Sequence, residues 1–578
     1  MITKEKLKKL IDTAAGRINA DTVIRGGTIA DIYGCRLIQG DIALSDGLIA
    51  GIGDYKGDTI IDADGMYILP GFIDSHIHIE SSHLSPEEFG RILTPCGTTS
   101  VIADPHEIVN VCGLAGFDYM IRAAKETALD IKFMLPSCVP ATKWEHSGAV
   151  INAKDMEPEI LRENVLGLGE FMDYPGVVGA FDTVLDKILV AKKAGKIIDG
   201  HSPGLDNKAL SAYIAAGITT DHECSTVSEM LDRIERGAFV LIRQGSTCHD
   251  LRKLIKGITP ENSRRCLLCS DDRHPKTIFE EGHIDAHLRI CVEEGLDPMT
   301  AIRMATLNIA ECYRLYDRGA IAPGLRADLA FVDNLRDFHV QKTMINGILA
   351  AEKGRYLLPV RRCDDRVVRG SFRVKDFSLK KLELPLESEN VYVIDLHPGS
   401  IVTGKAKAKV KRDNNGLFVY DPALDIVKIA VVERHQNTGN VAKALIRGYG
   451  IKSGAVAISI AHDSHNIITL GVNDADMHRA VEQLIEQGGG IVLVKDGSVL
   501  EQIPMPLGGI MSDQSGEWLY KKLNAAHETA QKELGVNTLI DPFMSLCFMS
   551  LPVIPELKIT DMGLFDVEQF DFIPLEVS

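Results

Sequence analysis

Positive charge is scarce in this chain, and long apolar runs are missing. Lys and Arg number 63 against 80 Asp and Glu, a formal net charge of −17. That balance argues against a nucleic-acid partner for the whole chain, because phosphate contacts need clustered cations; a small-molecule substrate is not excluded, since a site can differ locally. No stretch approaches the roughly 18 apolar residues of a membrane span, so no membrane partner is expected. The N-terminal stretch carries Lys4, Lys6, Lys8 and Lys9 with no apolar run behind them, which predicts a short amphipathic helix and not a signal peptide. Internal repeats and low-complexity tracts are also missing. The glycine clusters "GLGEF" at Gly167 and "QGGGIV" at Gly488 lack the Lys-Ser/Thr of a phosphate loop and predict tight turns or close packing. The 12 cysteines are scattered singly, as at Cys35, Cys96, Cys138 and Cys291, and predict buried thiols rather than disulfides. The expected location is the cytoplasm.

At 578 residues, 45% apolar and 25% charged, the chain has ordinary globular composition and is too long for one core. From Asp21 to about Leu69, short strands are broken by Gly and Asp, a sandwich texture. At Pro70 the texture changes. Strand-like runs ("TTSVIADP", "IKFMLPSC", "GVVGAF", "GKIIDGHS", "GITTDHE", "AFVLIRQG", "RCLLCSDD") then alternate with helical segments to about Cys312. Roughly eight such units over about 240 residues fit a (β/α)8 barrel of the TIM type. Sandwich texture returns from Gly319 to Leu357. The expected fold class is therefore α/β: residues 1–69 plus 318–362 form a small split β-sandwich, residues 70–317 a barrel inserted in it, and residues 363–578 a mixed α/β C-terminal domain. One clear helix is predicted there, Asp476 to Gln487.

The chemistry-bearing residues sit at the ends of the predicted barrel strands. "GFIDSHIHIESS" places His76 and His78 two apart, and the period of two throws both to one face. Two imidazoles on one face are half a metal site. Glu170 closes "VLGLGE", His201 ends "GKIIDGH", His222 ends "GITTDH", and Asp271 follows "RCLLCS". Barrel enzymes carry catalysis at these C-terminal strand ends. Any one of the six taken alone is explained by a cap or a satisfied loop polar group; the six together are not. The set lacks thiolate, which suits Zn, Fe or Mn rather than Cu(I) or a cluster.

This layout resembles the amidohydrolase superfamily over about residues 21 to 360: His-x-His on the first strand, a bridging acid on the fourth, His on the fifth and sixth, Asp on the eighth. Within it, "GFIDSHIHIESS", "TTSVIADPHEIVNV", "GHSPGL", "TDHE" and "SDDRHP", with "AHDSHN" and "PLGGIMSD" further on, are similar to the bacterial adenine deaminases over nearly the full length. The resemblance implies two divalent metal ions held by His76, His78, Glu170, His201, His222 and Asp271, with manganese favoured, then iron, over zinc. It implies adenine as the substrate, hydrolysed at C6 to hypoxanthine and ammonia by a metal-bridged hydroxide in purine salvage, by a protein expected to be a homodimer. Asp271 is the expected proton shuttle. Glu107 and Glu223 are both candidates for the acid at N1, each following a strand end. Asp104 and His106 of "ADPHE" are additional candidates as ligands or as groups orienting them. Asp272 is expected to point away from the metals by alternation.

Other patterns carry less. The zinc nucleobase deaminase signature, His-x-Glu then Pro-Cys-x-x-Cys, is mimicked by "HIE" at His78 and "CLLC" at Cys266, but no Pro precedes Cys266, and Cys266 and Cys269 predict buried strand residues. "HDSHN", with His465, is either structural or a loop completing the barrel mouth. The catalytic Glu that adenosine deaminases carry three residues after the strand-five His is missing, since Ser202, Pro203 and Gly204 follow His201. Hydrolysis of cyclic amides or ureides, of the dihydropyrimidinase or dihydroorotase type, is the alternative activity, and a non-catalytic binding protein on the same fold is the third; the latter typically loses metal ligands, and all six positions are filled here.

Overall fold

The structure, a computed structural model, describes residues 2–577. Its centre is a ring of parallel strands: β1 (Phe72–His78), β2 (Thr98–Ala103), β3 (Asp130–Leu135), β4 (Val165–Phe171), β5 (Ile197–Gly200), β6 (Thr220–Asp221), β7 (Phe239–Arg243) and β8 (Cys266–Cys269), the last continued by the pair Asp271–Asp272. β5 to β1 pair in reverse chain order, and β6, β7 and β8 pair in a second run. The Asp271–Asp272 continuation closes the ring against Ile77 and His78 of β1, and the Thr219 N–H donates to the Ile198 carbonyl at 2.8 Å across the β5–β6 gap. Every residue of β1 and β2 is buried, as parallel strands covered by helices require.

The glycines of β4 are there for close approach. A Cβ at Gly169 would collide with the Asp104 carboxylate, and one at Gly167 with the Ile197 carbonyl. The run "GVVGAF" is not the strand-like unit expected. Tyr174–Val178 forms a short helix, with Pro175 in its first turn and the Asp173 carboxylate accepting from the Gly176 N–H at 2.9 Å. Local cap and proline chemistry outweigh the β-branched pair there.

Chain from both sides of the barrel shares one sheet. Tyr67–Pro70 pairs antiparallel with Leu329–Val332, which pairs with Val340–Ile345. A four-stranded sheet packs on it, with Ile24, Ile42 and Ile49 meeting Ile68, Phe331 and Met344 in one core. Further on, an eight-stranded mixed sheet carries the helix Asp474–Glu486, capped by Asn473. The N-terminal helix spans Lys4–Ala14. The cysteines are free thiols; Cys138 and Cys291 are buried, but Cys35 is exposed and Cys96 half-buried. Cys35 occupies a left-handed turn position (φ 49°) in a hairpin rather than an apolar strand. Among the described residues no helix is long and apolar enough to cross a membrane.

Candidate metal centre

The strand ends converge on Glu170. Its Oε1 lies 3.3 Å from His78 Nε2 and 3.3 Å from His106 Nδ1, while its Oε2 lies 2.8 Å from His201 Nδ1 and 3.1 Å from His222 Nε2. One carboxylate thus presents each oxygen to a separate pair of imidazoles. Asp271 Oδ1 is 3.2 Å from His78 Nε2 and 3.8 Å from His76 Nε2, and the His76 ring stacks on His222 at 4.2 Å between centroids. Ligand atoms of His76, His78 and Glu170, of Glu170, His201 and His222, and of Asp104, His106 and Glu170 lie within 4.8 Å of one another in each group.

Hydrogen bonding orients the His78 ring. His78 Nδ1 lies 2.8 Å from the Asp104 carbonyl oxygen. A carbonyl only accepts, so Nδ1 carries the proton and Nε2 is left to bind a metal. Asp104 also accepts the Glu170 N–H at 2.8 Å, fixing the start of that side chain. Both ring nitrogens of fully buried His76 lack a hydrogen-bond partner among the described residues, as does His106 Nδ1, a costly arrangement that divalent cations at these positions resolve. Burial opposes charge on His78 and His222, yet Asp271 and Glu170 respectively hold them well above the ordinary imidazole range. Burial also opposes charge on Glu170 and Asp271, and the histidines, with Arg243 beside Asp271, hold both well below the ordinary carboxylate range. Donors and geometry fit divalent cations held around Glu170.

The two acids expected near the ring nitrogen differ in surroundings. Glu223 Oε1 stands 3.3 Å from His222 and 3.6 Å from His201, and is paired with Arg243. Glu107 is almost fully buried, with one oxygen against His462 Nδ1 and the other against His465 Nε2. The Ala461 N–H donates to His465 Nδ1 at 3.0 Å, so His465 Nε2 carries the proton that Glu107 accepts. "HDSHN" therefore lies at the barrel mouth and not at a distance from it. Asp272 does not point away: a carboxylate oxygen of it groups with His78 and Asp271 within 4.8 Å, and it accepts from Ser81 Oγ. Asp271 has φ 61°, which breaks the strict alternation that prediction assumed. Cys266 and Cys269 are fully buried in β8.

The sequence reading passed over Arg243. It ends "AFVLIR" as the ligands end their strands, and it lies 3.2 Å from Asp271 Oδ2 and 3.5 Å from Asp250. Asp463, inside the "HDSHN" segment, adds a carboxylate that groups with His106 and Glu107.

Residues 67–349 match the family described as the amidohydrolase family, and residues 400–571 the adenine deaminase C-terminal domain. The chain is 60% identical over 575 residues to adenine deaminase 2 of Desulfotalea psychrophila, 51% over 576 residues to adenine deaminase of Ligilactobacillus salivarius, and 47% over 581 residues to adenine deaminase of Nitratidesulfovibrio vulgaris, with 100% of both chains covered each time.

Proposed function

The chain belongs to the adenine deaminase family of the amidohydrolases, and we propose that it hydrolyses adenine to hypoxanthine and ammonia at the Glu170 centre. The observation that carries the assignment to this centre is the Glu170 carboxylate with a pair of imidazoles on each oxygen. His76, His78, Glu170, His201, His222 and Asp271 would hold the ions, with His106 as a further ligand beside Glu170. Two divalent cations there supply Lewis acidity and a water-derived nucleophile at neutral pH. In the net reaction a C6–O bond forms and the C6–N bond to the amine breaks. Asp271 accepts the proton of the attacking water and returns it to the departing amine, as base and then acid; Arg243, 3.2 Å away, keeps it ionised and ready to accept. For the ring nitrogen neither carboxylate is a ready donor: both Glu107 oxygens are engaged by His462 and His465, and Glu223, although burial opposes its charge, is held well below the ordinary carboxylate range by Arg243 and His201, so it would serve by relaying a proton from the imidazoles beside it. Manganese, then iron, is the expected metal on family resemblance, and the setting is purine salvage in the cytoplasm.

Substrate scope tests the assignment. Metal-loaded protein should convert adenine to hypoxanthine, followed by ultraviolet absorbance, and leave adenosine almost untouched, since a site built around a bare base leaves polar groups unpaired with a ribosylated one. Comparable kcat/KM for adenine and adenosine refutes base specificity. Hydrolysis of a dihydropyrimidine with no purine turnover replaces the proposal with cyclic-amide hydrolysis.

A further inference from the structure

A cavity of about 220 Å³ lies between the barrel mouth and the C-terminal region. Its floor comes from the loops after β1, β7 and β8, through His83, Ser246 and His274; its roof comes from Asn524, Phe543 and Met544. None of the lining residues is a candidate metal ligand, but His83 and His274 each follow by two residues the Ser81–Asp272 hydrogen bond, and Asp272 groups with His78 and Asp271 at the edge of the metal cluster. It is smaller than the roughly 300–1,000 Å³ of drug-sized ligand sites, which suits a bare bicyclic base and not a nucleoside.

The two histidines are built for recognition. His83 is buried in the left-handed region (φ 56°), with its N–H donating to the Glu80 carbonyl at 2.7 Å and its carbonyl accepting from the Ser512 N–H at 2.8 Å. A non-glycine residue held there marks a position that something else requires. The His83 and His274 rings are 5.6 Å apart between centroids. His83 Nδ1 and His274 Nε2 are buried, and neither has a hydrogen-bond partner among the described residues. Burial lowers both imidazoles, His83 to about 3, so each offers one N–H and one lone pair. Phe543 and Met544 supply an apolar, polarizable surface for a flat ring.

We propose that this chamber is where the protein recognises the purine base, with His83 and His274 hydrogen-bonding the edge of the ring and Phe543 and Met544 covering its face. The proposal rests on the adenine deaminase assignment above and names the groups that read the substrate.

Hypoxanthine, the reaction product, is the probe. Its affinity is measured by calorimetry on metal-loaded wild type, His83→Asn, His274→Ala and Asn524→Trp, together with adenine kinetics and metal content. Asn tolerates the left-handed backbone, and Asn524→Trp fills the chamber from a half-exposed helix position while both histidines are kept. Each variant should weaken hypoxanthine binding and raise the KM for adenine about ten- to a hundredfold, with kcat changed less and metal content unchanged. Wild-type affinity and KM in all three variants, losses that follow metal content, or a wild type that does not bind hypoxanthine overturns the proposal. A wild type that binds hypoxanthine tightly but forms none from adenine, with binding weakened in the variants, supports the chamber and removes the deaminase assignment instead.

Discussion

Asp271 combines backbone and electrostatic demands that few residues meet. It sits in the left-handed region at φ 61°, 3.2 Å from His78 Nε2 and 3.2 Å from Arg243. Asn tolerates that backbone as well as Asp does and keeps the volume, but it cannot carry a proton between water and amine. Asp271→Asn should therefore fold normally and lose about 10²–10⁴ in kcat, measured by steady-state adenine kinetics. A loss confined to KM instead assigns Asp271 to substrate binding. Asp272→Asn is no inert control, because Asp272 shares the cluster. The six expected ligands were legible because each polar residue ends an apolar run, a pattern visible within a short window. Arg243 ends its run in the same way, but an arginine at a strand end is also an ordinary solvent cap, and only the folded ring shows the acids it faces. The grip of His462 and His465 on Glu107 spans 355 and 358 residues of sequence, and no local pattern encodes it.

Among the elements, all eight barrel strands carried apolar runs readable in the sequence, "VLGLGE" among them. "GVVGAF" has the same texture, and Pro175 with the Asp173 cap makes it a helix; the adjoining "VLGLGEF" supplies the strand. The strand Leu557–Thr560 holds a buried charge that sequence alone does not reveal. Lys558 is fully buried, and among the described residues its Nζ donates only to the Ile401 carbonyl, at 2.9 Å. Burial pulls its pKa from 10.5 to about 7. The unfolded chain therefore binds this proton more tightly between about pH 7 and 10.5, so the contribution to stability rises with pH across that window and the cost is fully present below it. Lys558→Met removes this cost, on the order of a few kcal/mol. The variant should melt higher than wild type at pH 6, with the advantage shrinking toward pH 10 in calorimetric melts. An advantage that is independent of pH, or a loss at pH 6, contradicts the assignment.

Over the whole molecule, the barrel provides the candidate metal ligands, and the region beyond the sandwich closes over them. His462 and His465 hold Glu107 at the head of the helix His106–Ala123, and Arg362 reaches Glu88 at 3.1 Å. The C-terminal texture was visible in the sequence as strands plus one helix, but its approach to the barrel mouth stood only as one of two readings of "HDSHN", because interdomain contacts leave no periodic signature. Adenine hydrolysis is proposed to occur where Glu170 and its surrounding imidazoles would hold divalent cations. The most direct measurement is stepwise return of Mn2+, Fe2+ or Zn2+ to chelator-stripped protein, reading adenine deamination and bound metal together, with Glu170→Gln in parallel. The account predicts no activity without metal, a rise that saturates near two ions per chain, and a Glu170→Gln variant that holds less metal and does not recover. Full activity in the stripped protein, or a Glu170→Gln variant with wild-type metal content and turnover, contradicts it.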